Sequence, residues 1–171
     1  MKKRILLVDG YNMIAFWTET KQYFKTNKLD QAREILLRKL NHYAHFENID
    51  IVCVFDAQYV PGVRQSYEQY KITTIFTEED ETADSYIERL AADLNNGIHL
   101  VEVATSDLNE QWTVFSQGAL RVSARELEKR VNTVKSDLDK MSQSIDLKKP
   151  KLGSFNNDQL NQLRQFMNDI D

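Results

Sequence analysis

Four aspartates, Asp9, Asp56, Asp84 and Asp107, are the side chains whose placement along this sequence could gather chemistry at one point. Asp9 ends the apolar run 5–8, Asp56 ends the run 51–55, and Asp107 follows the run 100–105 after a single serine. Asp84 stands two residues after Thr82, in the first turn of a predicted helix. Carboxylates packed together repel and raise one another's pKa unless a cation neutralises them. An oxygen-only set suits Mg2+ or Mn2+, which keep several waters and bind through a few carboxylates plus substrate phosphate. Such an ion activates water and stabilises both the attacking and the leaving oxygen of a phosphodiester. Taken singly, each aspartate has a plainer use. A strand-end acid tightens a turn or caps a helix, and Asp84 would favour a helix N-terminus through the dipole. The metal reading rests on the coincidence of positions.

Other chemistries find less support. His42 and His45 fall on a predicted helix and His99 begins a strand; without a partnered Cys or Ser they read as structural. Gly10 stands alone after the first strand, so there is no glycine-rich phosphate loop. Cys53 lies inside Ile-Val-Cys-Val-Phe, where it serves as a small buried hydrophobe and has no partner for an internal disulfide.

The elements that must position the aspartates follow from hydrophobic patterning. Apolar runs at 5–8, 51–55, 72–76, 100–105 and 119–122 predict strands, the longer ones buried on both faces. A helix is predicted from Asp30, its cap, with Ala32, Ile35, Leu36, Leu40, Tyr43 and Ala44 on one side. Thr82 caps a second helix carrying Ala83, Ile87, Leu90, Ala91 and Leu94, which ends at Asn96-Gly97. A short helix with Trp112 and Phe115 closes at Gly118. Ser123 and Glu126 form a capping box before a long helix with Leu127, Val131, Val134, Leu138 and Met141. Residues 59–70, with Pro61-Gly62, read as a loop. Strands alternating with amphipathic helices predict a three-layer α/β fold, Rossmann-like, with a mainly parallel central sheet of about five strands. Residues 1–141 form this domain; residues 142–171 are a polar linker and a short C-terminal helix. Ligands of an open parallel sheet bind beyond the carboxyl ends of its strands. The four aspartates belong to that edge.

With 171 residues and 42% apolar composition, the chain can bury one proper core. The formal charge of -4 argues against a protein that coats nucleic acid, but the average hides a split. Residues 78–110 hold ten Asp or Glu against one Arg, whereas residues 111–151 hold nine Lys or Arg against five Asp or Glu. An acidic centre beside a basic flank suits a site that holds cations next to a polyanion, although solvated helix faces give the same counts. The apolar stretch after Met1-Lys2-Lys3-Arg4 stops at Asp9, too short for an export core, and no run reaches membrane length. A soluble cytoplasmic protein without a membrane partner is expected.

Five segments occur in order: Val8-Asp9-Gly10-Tyr11-Asn12-Met13-Ile14, Phe55-Asp56-Ala57, Glu81-Thr82-Ala83-Asp84, Ala104-Thr105-Ser106-Asp107 and Gln117-Gly118-Ala119-Leu120-Arg121. Together they resemble the YacP-type NYN domains of the wider PIN-like nuclease group. The resemblance covers about residues 4–140 and leaves the last thirty without a matching motif. It implies a PIN-like sheet and an endoribonuclease using Mg2+ or Mn2+. Asp9, Asp84 and Asp107 match the catalytic, metal-binding acids. Asn12 matches the asparagine after the first strand, which would orient the metal site or a phosphate. Ser106 matches the small hydroxyl residue before the last acid, and Asp56 keeps a supporting place. The resemblance further implies messenger RNA and the ribosome as partners, with no DNA expected.

Arg121, Arg125, Lys129 and Arg130 form a basic stretch suited to RNA phosphates, or equally an ordinary exposed helix face. Tyr11, Phe16, Trp17, Tyr59, Tyr67 and Tyr70 could stack on unpaired bases, but such residues more often pack a core or lid. The reaction expected is hydrolysis of single-stranded RNA by metal-activated water, leaving 5′-phosphate and 3′-hydroxyl ends. One rival is a non-catalytic RNA- or ribosome-binding adaptor of the same shape. Another is a phosphoacceptor receiver-like domain with Asp56 as acceptor. That rival lacks a second acid beside Asp9, where Gly10 stands, and a lysine near residues 119–122.

Overall fold

The computed structural model describes residues 2–59, 72–107, 109, 118–148 and 157–168. The predicted helix with Trp112 and Phe115, Tyr67, Tyr70 and the side chain of Tyr59 lie outside the described residues.

Strand β1 (Lys3–Asp9) is the spine of the molecule. Its side chains alternate between two cores: Leu6 and Val8 enter one, Ile5 and Leu7 the other. This is why the run is apolar without interruption. Strand β2 (Asp50–Phe55) pairs with β1 on one side, and β4 (His99–Ala104) pairs with it on the other. Strands β3 (Thr73–Phe76) and β5 (Leu120–Val122) are the edges, giving the order β3-β2-β1-β4-β5. All four pairings are parallel. The five-stranded parallel sheet predicted from the sequence is the one observed. Its order reverses beside β1, which places the crevice between the ends of β1 and β4. A receiver domain needs β2-β1-β3-β4-β5, so that rival is excluded by topology.

Helices α1 (Gly10–Phe16), α2 (Lys21–Lys25) and α3 (Leu29–Glu47) connect β1 to β2. Helix α4 (Ala83–Leu94) connects β3 to β4, and α5 (Ala124–Lys148) follows β5. Residues of α1, α3 and α5 share the core with Leu6, Val8, Cys53 and Phe55. Ala83, Ile87 and Ala91 of α4 cover the opposite face with Ile5, Leu7 and Val103. Helix α6 (Asn157–Asn168) ends the described chain, and its Met167 sulfur accepts the Ser142 hydroxyl at 3.6 Å. Among the described residues no helix is long and apolar enough to cross a membrane.

Two local expectations are corrected, and two short helices are added. Helix α3 begins at Leu29, so Asp30 lies inside its first turn and pairs with Arg33 rather than capping. Helices α1 and α2 have no counterpart in the sequence reading, because seven and five residues are too short to show a helical period. Helix α5 runs through 142–148, where a linker is predicted; nothing in Ser-Gln-Ser-Ile-Asp-Leu-Lys breaks a helix before Pro150 restricts the residue ahead of it.

Candidate metal centre

Asp9 is the last residue of β1 and the cap of α1: it is 8% exposed, and its carboxylate accepts the Asn12 backbone N–H at 3.4 Å. Asp84 stands in the first turn of α4, the helix that covers Ile5 and Leu7 of β1. Thr82 caps α4 as the sequence predicts, its hydroxyl oxygen accepting the Ser85 N–H at 3.2 Å. Burial raises the Cys53 thiol well above its ordinary pKa, and the Asp9 carboxylate adds to the shift.

Asp107 lies three residues beyond β4. Its backbone N–H donates to the Thr105 hydroxyl at 3.1 Å, and its carboxylate accepts the Asn109 N–H at 2.9 Å. The segments of Asp9 and Asp107 are fastened directly: the Asn12 side-chain oxygen accepts the Ser106 backbone N–H at 2.8 Å. Ser106 in turn uses its hydroxyl oxygen to accept the Ala124 N–H at 3.0 Å, fixing the start of α5. The Ala124 carbonyl accepts the Trp17 indole N–H at 3.0 Å, so this first residue of α5 is held through both its N–H and its carbonyl. Thr105, fully buried, is a structural member of the site that sequence reasoning missed, and Trp17 takes the core place expected of it, with an indole bond the sequence does not show. Hydrogen bonds across such separations leave no spacing signature.

Asp56 is half-buried, and its carboxylate accepts the Gln58 N–H at 3.0 Å, the turn-tightening use open to any strand-end aspartate. The buried Thr77 hydroxyl accepts the next N–H, that of Ala57, at 3.0 Å.

The fit to a divalent ion can be judged from these groups. The oxygen donors carried by these segments are the carboxylates of Asp9 and Asp107 and the side-chain amide of Asn12, the donor type a hard cation takes. Among the described residues, however, no three of His, Cys, Asp or Glu are grouped so as to hold a metal by themselves. Asp9 and Asp107 reach one edge of the sheet without a ready three-aspartate cage. Mg2+ does not require one, since it binds through one or two carboxylates, keeps its waters and accepts phosphate oxygens from the substrate.

The four basic candidates separate. Arg121 is exposed on the edge strand β5, and Arg125 and Lys129 are exposed on α5. Arg130 instead donates to Glu102 at 3.0 Å, while Arg4 approaches the other oxygen of the same carboxylate at 3.4 Å. Burial opposes the Arg130 charge, yet the bond and charge of Glu102, together with Tyr43, outweigh it and raise its pKa. Of the aromatics, Tyr11 and Trp17 are core residues and Phe16 is 60% exposed. Tyr11 packs at 5.0 Å from the Phe55 ring and accepts a bond from the buried Arg33.

Comparison with known proteins converges on one family. The model of the YacP-like NYN domain matches residues 6–168, well beyond the last sequence motif. YacP of Bacillus subtilis (strain 168) is 44% identical over 146 residues, covering 85% of each chain. The crystal structure of Rae1 (YacP) from Bacillus subtilis matches with a TM-score of 0.74 at 43% identity, over 86% of this chain and 84% of that one. A tryptophan-to-leucine variant of it matches at 0.71 and 42% identity, over 82% of both chains.

Proposed function

Because the chain belongs to the YacP-like NYN domain family, we propose that it is a divalent-metal-dependent endoribonuclease acting where β1 and β4 end. The observation that carries this reading is the Asn12–Ser106 bond, which ties the segments of Asp9 and Asp107 together at the switch point of the sheet. In this reading Asp9, Asp84 and Asp107 are the catalytic acids and supply the negative charge that holds the ion. A bound Mg2+ or Mn2+ would provide Lewis acidity and a water acidic enough to attack a phosphodiester.

The chain's own groups do the positioning. Asn12 fixes the loop of Asp107 against the start of α1, Ser106 fixes α5, and Asp56 shapes the neighbouring turn. Arg125 and Lys129, with Arg121, attract the RNA backbone beside the acids. Single-stranded RNA is the substrate expected, and messenger RNA presented by the ribosome in the cytoplasm is the finer form, resting on the family resemblance.

The test is incubation of the full chain with labelled RNA in Mn2+, then in chelator, both alone and with translating ribosomes. Cleavage that needs the metal and leaves 5′-phosphate ends supports the reading. RNA or ribosome binding without cleavage in every condition would replace it with the adaptor.

A further inference from the structure

A second concentration of charge lies away from the carboxylate edge, between α3 and α5. Glu19, Arg38, Lys39, His42 and Lys135 stand around a floor of Val131, Val134 and Leu138, lining a small pocket. The three floor residues are more than nine-tenths buried. Lys135 lies eleven residues along α5 from Ala124, roughly 16 Å at the helical rise, so the pocket is separate from the proposed metal centre.

The charges do not balance. Lys39, 8% exposed, gives its ammonium to Glu19 at 2.8 Å and to the Asn132 side-chain oxygen at 3.0 Å, with the Trp17 ring 5.9 Å away. That pair satisfies the one carboxylate in the lining. Burial raises the Glu19 carboxyl, but the Lys39 bond and the charges of Lys39, Lys135 and Arg38 prevail and leave it below the ordinary glutamate value. Among the described residues Arg38 and Lys135 enter no ion pair. Arg38, half-buried, and Lys135, exposed at the rim, therefore flank a pocket whose apolar floor reduces the screening of an anion held against it. A phosphate group carries close to the compensating charge at neutral pH, and a guanidinium fork matches its oxygens.

We propose that this pocket binds a phosphate-type oxyanion between Arg38 and Lys135, with the Lys39–Glu19 pair as its neutralised wall. The phosphate can come from an RNA backbone or from a free phosphate ion. The proposal stands whether or not the chain is a nuclease.

The experiment follows backbone amide NMR shifts of the full chain during titration with sodium phosphate, against sodium chloride at equal ionic strength. Saturable shifts at Arg38, His42 and Lys135 in phosphate alone are expected. An Arg38→Gln, Lys135→Gln double variant, with the rest of its spectrum unchanged, should bind at least about tenfold more weakly. No saturable shift at these amides, an equal response to chloride, or undiminished affinity in the folded variant overturns the site. A second arm uses a short oligoribonucleotide with chelator present. Shifts at the same three amides identify backbone phosphate as the source. Shifts only elsewhere, with inorganic phosphate still filling the pocket, identify a free anion.

Discussion

Asn12 and Ser106, 94 residues apart, are joined by a 2.8 Å bond from the Ser106 backbone N–H to the Asn12 side-chain oxygen. It links the residue capped by Asp9 to the residue before Asp107, across the ends of adjacent strands. Asn12→Ala removes the acceptor and leaves both acids. RNA cleavage should fall by about 10- to 100-fold, the scale at which supporting groups around a metal act. Circular dichroism should be unchanged, and excess Mn2+ should recover part of the rate.

Asp9→Asn keeps a side chain able to cap α1 but removes the charge. Cleavage should drop at least about a hundredfold, as it does when one electrostatic group is lost at a reacting centre. The melting temperature should hold or rise. Asp84→Asn and Asp107→Asn should lose activity likewise, and chelation should mimic all three. Full activity in Asp9→Asn and Asp84→Asn together would remove the mechanism.

The basic residues should divide along the lines of their partners. Arg125→Ala and Lys129→Ala should each weaken RNA binding and reduce the salt slope by about one. Arg130→Ala should act on stability, because Glu102 is only 12% exposed at its side chain and keeps Arg4 as its remaining partner. Filter binding across a salt series, beside thermal melts, separates the two effects.

Gly10 opens α1 directly against the Phe55 ring, and a Cβ there would collide with the ring carbons. Gly10→Ala should destabilise by about 1–3 kcal/mol, the usual range for overpacking. Adding Phe55→Leu should return part of that loss, a coupling that a double-mutant cycle measures.

Glu19 gives a pH signature. Its carboxyl is lowered in the folded chain, so its contribution is present above the unfolded glutamate pKa and is lost as pH falls through the folded value. Glu19→Gln should therefore be less stable than the parent at neutral pH. The gap should close as the solution is acidified past the glutamate range, and urea melts at stepped pH check it.

Much of this architecture could be read in advance for a physical reason. Central strands of a parallel sheet are buried on both faces, so runs such as Ile5 to Val8 stand out and the acids after them locate an edge. Short helices held by tertiary contacts do not stand out. In α1, Tyr11, Met13 and Ile14 are buried without any strong helical preference in the sequence. The partners of Arg130, the clamp on Ala124 and the surplus charge beside Lys39 were also hidden, since each depends on contacts made by chain folding back from afar.

Strand β1 sits at the middle of the sheet, yet both of its neighbours lie later in the chain. During synthesis it leaves the ribosome before either of them and cannot complete its pairing until β2 and then β4 arrive. Such distant parallel pairings close slowly. The Asn12–Ser106 bond forms only after β4 docks, and Ala124 locks that corner later still. A nascent or truncated chain ending before residue 107 therefore carries an unfinished edge, and any activity of this kind must await nearly complete translation of the domain.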